Sequence, residues 1–300
     1  MAKAVVVGGA GFIGSNLTEA LVAEGYEVHV IDNLSGGKRE HVVAEAIFHE
    51  VDMRDYDSIA PVMKGADTVF LLAALPRVQF SIEFPQETNE VNIGGLVNVL
   101  KASVDGGVRR VVYSASSSAY GDQANMPLVE TMLAHPLSPY GLQKYVGELY
   151  CRLFNEVYGI ETVSLRYFNV YGKNQNPDGA YALVIGKFLK QKAEGKPLTI
   201  TGDGEQTRDF THVRDVVRAN LLAMKSEKVG KGEAINIGAG DNHSINEVAE
   251  FIGGAKEYVA ARLEPKNTLA DTTRAKELLG WEPTVKLEEG IAELKQSAGL

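Results

Sequence analysis

A chain of 300 residues, 45% hydrophobic and 23% charged, has the balance of an ordinary globular protein, long enough for one large domain or two joined ones. Its net charge of −9 argues against a nucleic-acid partner, which wants a basic face, but leaves local arginines free to hold an anionic substrate. The single cysteine, Cys151, excludes an intrachain disulfide framework, and the six scattered histidines show no zinc spacing, so no metal is expected.

The chain enters a strand at once, at residues 4–7, with no signal-peptide core before it. No apolar run reaches the ~18 residues of a membrane helix, so a cytoplasmic protein with no membrane partner is expected. Gly8-Gly9-Ala10-Gly11-Phe12-Ile13-Gly14 follows, then a helical pattern over residues 15–24 stopped by Gly25, then a second strand over 27–31 that ends on Asp32. Strand, glycine turn, helix, strand and acid in this order form a dinucleotide-binding fingerprint. Gly8 and Gly11 leave room for a pyrophosphate to approach the backbone, the helix start at Phe12 offers free N–H groups, and Gly14 lets helix and strand lie close. Asp32 stands where a carboxylate takes both ribose hydroxyls and repels a 2′-phosphate; Lys38 and Arg39 follow shortly, so NADP is disfavoured without being excluded.

Further strands are expected at residues 46–51, 67–72 and 109–114, with helices at 56–64 and 86–105. Asp52 is either an acceptor for an adenine amino group or a plain turn carboxylate. Leu72, Ala73 and Ala74 are small and apolar at a strand mouth, which suits the back of a dinucleotide. Asn92 in the following helix needs a partner if buried, most simply a nearby loop.

At the end of the next strand comes Ser114-Ala115-Ser116-Ser117-Ser118, and beyond it Tyr140-Gly-Leu-Gln-Lys144, in a helix opened by Pro139 and running to about Tyr158. Tyr140 and Lys144, four apart, share a helix face. A phenol titrates near pH ~10, and an ammonium beside it is expected to pull it down. Strand alternation favours Ser116 as the facing hydroxyl, with Ser114, Ser117 and Ser118 left open. A strand over residues 161–165 leads into Arg166-Tyr167-Phe168-Asn169-Val170-Tyr171-Gly172. The alternation so far describes an α/β protein with a doubly wound parallel sheet.

After Gly172 come a polar loop over residues 173–179, a helix from Tyr181 to about Glu194, a short strand at 198–201 and the turn Gly202-Asp203-Gly204. Then follow Arg208-Asp209-Phe210, a helix to about Ser226, a late strand at 234–237 expected to return to the main sheet, and helices at 245–252, 273–279 and from Leu287. Arg208 is a candidate phosphate donor, with Asp209 or Asp215 as plain structural partners instead.

The glycine fingerprint, Ser116 before Tyr140-x-x-x-Lys144, Arg166-Tyr167-Phe168-Asn169 and Gly202-Asp203-Gly204 with Arg208-Asp209-Phe210 together resemble the extended short-chain dehydrogenases/reductases. Within them the chain is most similar to NAD-dependent nucleotide-sugar epimerases of the UDP-glucose/UDP-galactose 4-epimerase kind, over essentially its whole length. The resemblance implies a Rossmann-type NAD-binding domain over residues 1–172, joined by the late strand, and a smaller C-terminal α/β domain over 173–300 that binds a UDP-sugar. It implies Ser116, Tyr140 and Lys144 as catalytic residues. Cofactor contacts are expected at Gly8, Gly11, Phe12, Ile13, Gly14, Asp32, Asn33, Ser35, Gly36, Asp52, Met53, Leu72, Ala73, Ala74, Asn92, Ser114, Tyr140, Lys144 and Tyr167. Substrate contacts are expected at Ser116, Ser117, Tyr140, Asn169, Arg208, Thr268 and Asp271. A homodimer through helices 86–105 and 138–158 is expected as well. Where the family's dehydratases carry a carboxylate, this chain has Ser116-Ser117-Ser118, which counts against dehydration and against decarboxylation. Thr268 is small where some relatives place an aromatic, so the N-acetyl sugars should be accepted beside the plain ones. The competing readings are another epimerase, reductase or dehydratase of the family, or an NAD-binding regulator without turnover, which the presence of both Tyr140 and Lys144 disfavours.

Overall fold

The computed structural model describes residues 1–177, 183–261 and 265–300. In chain order these run β1 (Lys3–Val7), α1 (Phe12–Ala23), β2 (Glu27–Asp32), β3 (Ile47–Glu50), α2 (Tyr56–Met63), β4 (Thr68–Leu71), α3 (Val78–Glu83) and α4 (Pro85–Asn89). A π-helical turn, Glu90–Gly95, joins α4 to α5 (Leu96–Asp105), and β5 (Arg110–Ser116), α6 (Pro139–Tyr158) and β6 (Glu161–Tyr167) follow. The remainder is α7 (Val184–Ala193), β7 (Leu198–Thr201), β8 (Thr207–Asp209), α8 (Val213–Lys225), β9 (Lys231–Ile237), β10 (Asn242–Ser244), α9 (Ile245–Ile252), β11 (Lys256–Val259), α10 (Thr273–Leu279) and α11 (Leu287–Ser297).

Seven strands pair in the order β3-β2-β1-β4-β5-β6-β9, every neighbour parallel. A parallel sheet covered on both faces needs strands apolar on both sides, and β1 shows how: Ala4 and Val6 enter one core, Val5 and Val7 the other. Leu17 and Leu21 of α1 and Val216 of α8 fill the first; Ile59 of α2, Val99 of α5 and Phe154 of α6 fill the second. The order reverses between β1 and β4, and that crevice, at the carboxyl ends of the strands, is where an open α/β sheet binds its ligands.

A third core lies in the C-terminal part, from Tyr171, Ile185, Phe188, Leu198, Phe210, Val248 and Ile291. The parallel pair β7–β11 and the antiparallel pair β8–β10 sit with it. The late strand does rejoin the main sheet, beside β6.

Three expectations change. The helix expected over residues 86–105 is α4, a π turn and α5, and α3 precedes it; Pro85 starts α4, and Gly94-Gly95 let the turn widen. The serine strand continues to Ser116 instead of ending at Ser114. β8, β10 and β11 were not foreseen: β8 and β10 are three polar residues each, and the four of β11 are too few to show alternation. The end of the polar loop over 173–179 and the helix start at Tyr181 lie outside the described residues.

Candidate active site

The glycine turn is compact because side chains are excluded from it. Gly8 has φ +89°, and a Cβ there would stand 2.5 Å from the Ala73 nitrogen; a Cβ on Gly14 would stand 2.0 Å from the Gly8 carbonyl oxygen. Gly14 thus packs the helix start onto the turn itself. A Cβ on Gly11 would meet only the Gly8 oxygen, at 3.3 Å. Gly11 caps α1 without any side-chain hydrogen bond, so the first N–H groups of the helix, around Phe12 and Ile13, remain available to an anion.

Asp32 closes β2 and is buried. Its two oxygens accept from Ala10 N (3.0 Å) and Leu34 N (2.8 Å), which fixes the carboxylate at the edge of the glycine turn with further lone pairs left over. Asn33 accepts from Ser35 N and Oγ and donates to Asp52 (2.8 Å). Gly36 borders open space. Asp52 also takes the Arg54 N–H and guanidinium, and that charge-assisted pairing holds its carboxyl down at about 2. Four donors fill its acceptor sites, so an adenine amino group would have to displace one. Met53 is buried against Gly95. Arg39 stacks on Phe48 (4.6 Å) and Lys38 pairs with Glu40 (3.7 Å).

Past β4, Leu72 N and Ala73 N both donate to the Val7 carbonyl (2.9 Å each), and Ala74 continues that half-buried edge. Asn92, in the π turn, accepts from Leu75 N (2.8 Å) and donates to Leu75 O and Gln143 Oε1. Its plain reading is therefore filled: it locks the loop after β4 to α6.

Ser114 and Ser116 lie on one side of β5. Ser114 Oγ donates to Tyr167 Oη (3.1 Å), whose hydroxyl donates to Asn220 Oδ1 (3.0 Å) in the interior. Ser116 Oγ donates to Ser118 Oγ (3.1 Å), takes Ser118 N and caps a short turn at Ser117, and it is the serine that opposes the rise of the Tyr140 phenol. Ser138 caps α6, accepting from Gly141 N (3.1 Å), and presents Tyr140 in the first turn.

Lys144 corrects one expectation. Its Nζ donates to the Ser114 carbonyl (2.6 Å), 4.9 Å from the centre of the Tyr113 ring and 6.0 Å from that of Tyr140. Burial pushes the amine down to about 8, against the pull of Cys151 and Glu148. The Tyr140 phenol is raised by burial above its ordinary value, opposed by Ser116 and by Arg77. Arg77, from which α3 starts, is a half-buried cation that sequence reasoning did not single out; a lone arginine in a loop carries no periodic signal.

A cleft of about 240 Å³ opens in the C-terminal part, lined among others by Asn169, Tyr171, Gln175, Phe188, Arg208 and Phe210. Asn169 takes φ +26° and donates to the Asp209 carbonyl (2.9 Å) and to Thr268 Oγ1 (3.5 Å); buried Thr268 also accepts from Asp209 N (3.3 Å). Arg208 donates to the carbonyls of Thr207 (2.8 Å) and Lys266 (3.3 Å). Its suggested structural partners are filled by other donors: Asp209 accepts from Ala239, Gly240 and Ala270, and Asp215 from Thr284, Val285 and Arg218. Burial lifts Asp209 to about 6 despite those N–H groups. The structure thus places Asn169 and Arg208 on one cleft, with buried Thr268 bonded to Asn169 behind it. Asp271 instead spends its carboxylate on Thr273 N (2.9 Å), at the entry to α10.

A glycine cradle that a Cβ would fill, an uncapped helix start and a fixed acid at the end of β2 fit a bound NAD. Together with the Ser/Tyr/Lys strand mouth they define an enzyme of the extended short-chain dehydrogenase/reductase class. A family model described as the NAD dependent epimerase/dehydratase family matches residues 4–238, and the chain belongs to that family. The chain is 38% identical over 295 residues to a putative UDP-glucose 4-epimerase of Methanocaldococcus jannaschii, covering 96% of this chain and 95% of that one. Its structure superposes with TM-score 0.93 on UDP-glucose 4-epimerase of Thermotoga maritima solved with UDP-glucose (39% identity, 99% and 97% covered). It superposes with TM-score 0.94 on UDP-N-acetylglucosamine 4-epimerase of Methanobrevibacter ruminantium in complex with UDP-N-acetylmuramic acid (35% identity, 100% and 99% covered). No helix among the described residues is long and apolar enough to cross a membrane.

Proposed function

We propose that this chain is an isomerase, a UDP-sugar 4-epimerase that interconverts UDP-glucose and UDP-galactose and also accepts the N-acetyl forms. The observation that carries the proposal is the strand mouth itself: Ser116 ends β5, Lys144 of the Tyr140 helix bonds Ser114 O, and the serine segment holds hydroxyls and no carboxylate. Dehydration needs an acid to expel a hydroxyl and a base for the C5 proton, and that segment offers neither.

When bound, NAD supplies a hydride acceptor and donor for the sugar carbon C4. The Tyr140 oxygen takes the 4-hydroxyl proton and later returns it. Ser116 donates a hydrogen bond to O4 and steadies the charge that develops there. Lys144, anchored on Ser114 O, holds the nicotinamide ribose side of the site. Arg208 and Asn169 grip the diphosphate, and Gln175 Oε1, buried with no hydrogen-bond partner among the described residues, offers an acceptor to the base. An epimerase must hold the diphosphate firmly and the hexose loosely, so that either face of the sugar can be presented. Polar groups gathered on the nucleotide side suit that division.

The protein incubated separately with UDP-galactose, UDP-N-acetylgalactosamine and UDP-glucuronate, with no cofactor added, should convert the first two to their C4 epimers. No lasting absorbance should develop near ~340 nm, since reduced cofactor does not accumulate. Conversion of the uronate alone, or a build-up of reduced cofactor, would overturn the proposal.

The proposal includes a homodimer. Leu142, Leu149, Leu153 and Val157 recur along one face of α6 and are 37–62% exposed, while Ile82 and Phe84 extend the apolar surface from α3. A stripe of this length on a charged chain suits a second copy of itself.

A further inference from the structure

Asp209 closes β8 and is fully buried. One of its carboxylate oxygens accepts from Ala239 N (2.6 Å), the other from Gly240 N and Ala270 N (3.0 Å each). The loop leaving β9 is pressed directly onto it: a Cβ on Gly238 would stand 2.8 Å from Asp209 Oδ2 and 2.4 Å from Ala270 Cβ. The backbone of the same residue is tied to the cleft. Its carbonyl accepts from Asn169 Nδ2 (2.9 Å), and its N–H donates to Thr268 Oγ1 (3.3 Å). Arg208, one residue earlier, donates to the Thr207 and Lys266 carbonyls, so the same stretch of β8 carries both the anchor and the guanidinium.

No cation pairs with this carboxylate among the described residues. Beyond β8, His212 caps α8 by accepting Arg214 N at Nδ1, and burial pushes its imidazole down. The β10 side brings Asp241, whose like charge disfavours a second carboxylate, and His243, which pairs with Asp241 (3.2 Å). Residues 266–271 bring Lys266, which is exposed, and Asp271, which is engaged by Thr273 N. β9 brings the neutral Asn236, whose N–H goes to Glu130, and on β6 Arg166 is closed on Glu148. Burial accordingly lifts the Asp209 carboxyl to about 6. An anion buried on N–H groups alone costs stability that a neutral side chain would not. Stability therefore does not account for Asp209, and a local rule broken in this way points to the site it serves.

We propose that Asp209 is a positioning residue for the nucleotide end of the substrate: by gathering three N–H groups from two segments onto one carboxylate, it fixes the end of β8 and with it the places of Arg208 and Asn169 on the cleft. The proposal rests on the reading of those two side chains as the diphosphate grip. A residue acting this way changes how firmly the substrate is held and leaves the proton and hydride steps alone, so its loss shows in KM and not in kcat. An asparagine keeps the shape but turns one oxygen into an N–H donor, so at least one of the three N–H groups loses its acceptor.

The test uses the full chain with UDP-galactose as substrate and UDP, which lacks the sugar, as inhibitor, comparing Asp209→Asn with Arg208→Gln. In Asp209→Asn, KM for UDP-galactose should rise roughly tenfold or more, with kcat within about threefold of wild type and bound NAD retained. Inhibition by UDP, measured near pH ~8 where its terminal phosphate is ionised, should weaken by the same factor. A wild-type KM in Asp209→Asn beside a raised one in Arg208→Gln, or a fall in kcat alone, would overturn this inference and leave the diphosphate grip in place. A wild-type KM in Arg208→Gln would remove the grip reading, and the inference with it. Should Asp209→Asn fail to fold, the wild type decides. UDP-galactose keeps both diphosphate charges in mildly acidic solution, so its KM should rise several-fold as the pH falls through about 6, where Asp209 takes up a proton, and should rise equally in His243→Gln. A KM that stays flat through that range, or a rise that disappears in His243→Gln, would overturn the role of Asp209.

Discussion

Thr268 and Lys144 show two ways in which a single residue enters or escapes a sequence reading. Thr268 stood out by its small size, and it proves to be buried, with its hydroxyl bridging Asp209 N and the Asn169 amide beside the cleft. On the proposed reading, a tyrosine there takes space that the sugar's 2-substituent needs. Thr268→Tyr should lower kcat/KM for UDP-N-acetylgalactosamine by roughly tenfold or more relative to UDP-galactose, because a methylene-sized clash alone is worth about 1–3 kcal/mol. Parallel assays of both sugars check this, and equal losses on both would remove Thr268 from sugar selection. The Ser/Tyr/Lys triplet was legible because spacing on a helix and alternation on a strand are written in the chain. The orientation of the lysine was not: whether an ammonium points at a phenol or at a backbone carbonyl depends on where β5 ends, and that strand runs two residues past the point its apolar pattern marks.

At the scale of elements, α6 carries most of the site and is held by small residues. A Cβ on Gly141 would stand 2.6 Å from the Ser118 carbonyl oxygen, and one on Gly147 would stand 2.3 Å from the Tyr113 hydroxyl. These approaches set the distance between the tyrosine helix and the serine strand. Ser138→Ala removes only the cap and should cost about 1 kcal/mol of stability, with turnover little changed. Gly147→Ala pushes on a buried phenol beside Lys144 and should cost more, about 1–3 kcal/mol, with a clear loss of turnover. Chemical denaturation with turnover assays on the same preparations separates the two; a Gly147→Ala enzyme as active and stable as wild type would show that the close contact is dispensable. The α/β alternation and nearly every long element were readable from hydrophobic period and glycine stops. The π turn was not, because Asn92 turns inward through a widened backbone bonded to Gln143, which a regular period does not express.

At the scale of the molecule, the apolar face of α6 predicts its own cover. Leu153→Glu combined with Val157→Glu should turn the proposed dimer into a monomer, checked by light scattering at matched concentrations; a wild type that is itself monomeric would remove the homodimer proposal. The buried Arg166–Glu148 pair, with the guanidinium over the Tyr120 ring and the Tyr120 hydroxyl bonded to Asn236, connects α6, β6 and β9 in one polar chain. β9 is the seventh strand of a sheet whose other six are complete by residue 167, and it arrives only at residues 231–237. During synthesis, then, β6 waits with an unpaired apolar margin while the whole of the intervening chain is made. A nascent protein in that interval carries a sticky border open to neighbours, so a stall or truncation just short of the seventh strand should send the product into aggregates rather than into a smaller working enzyme.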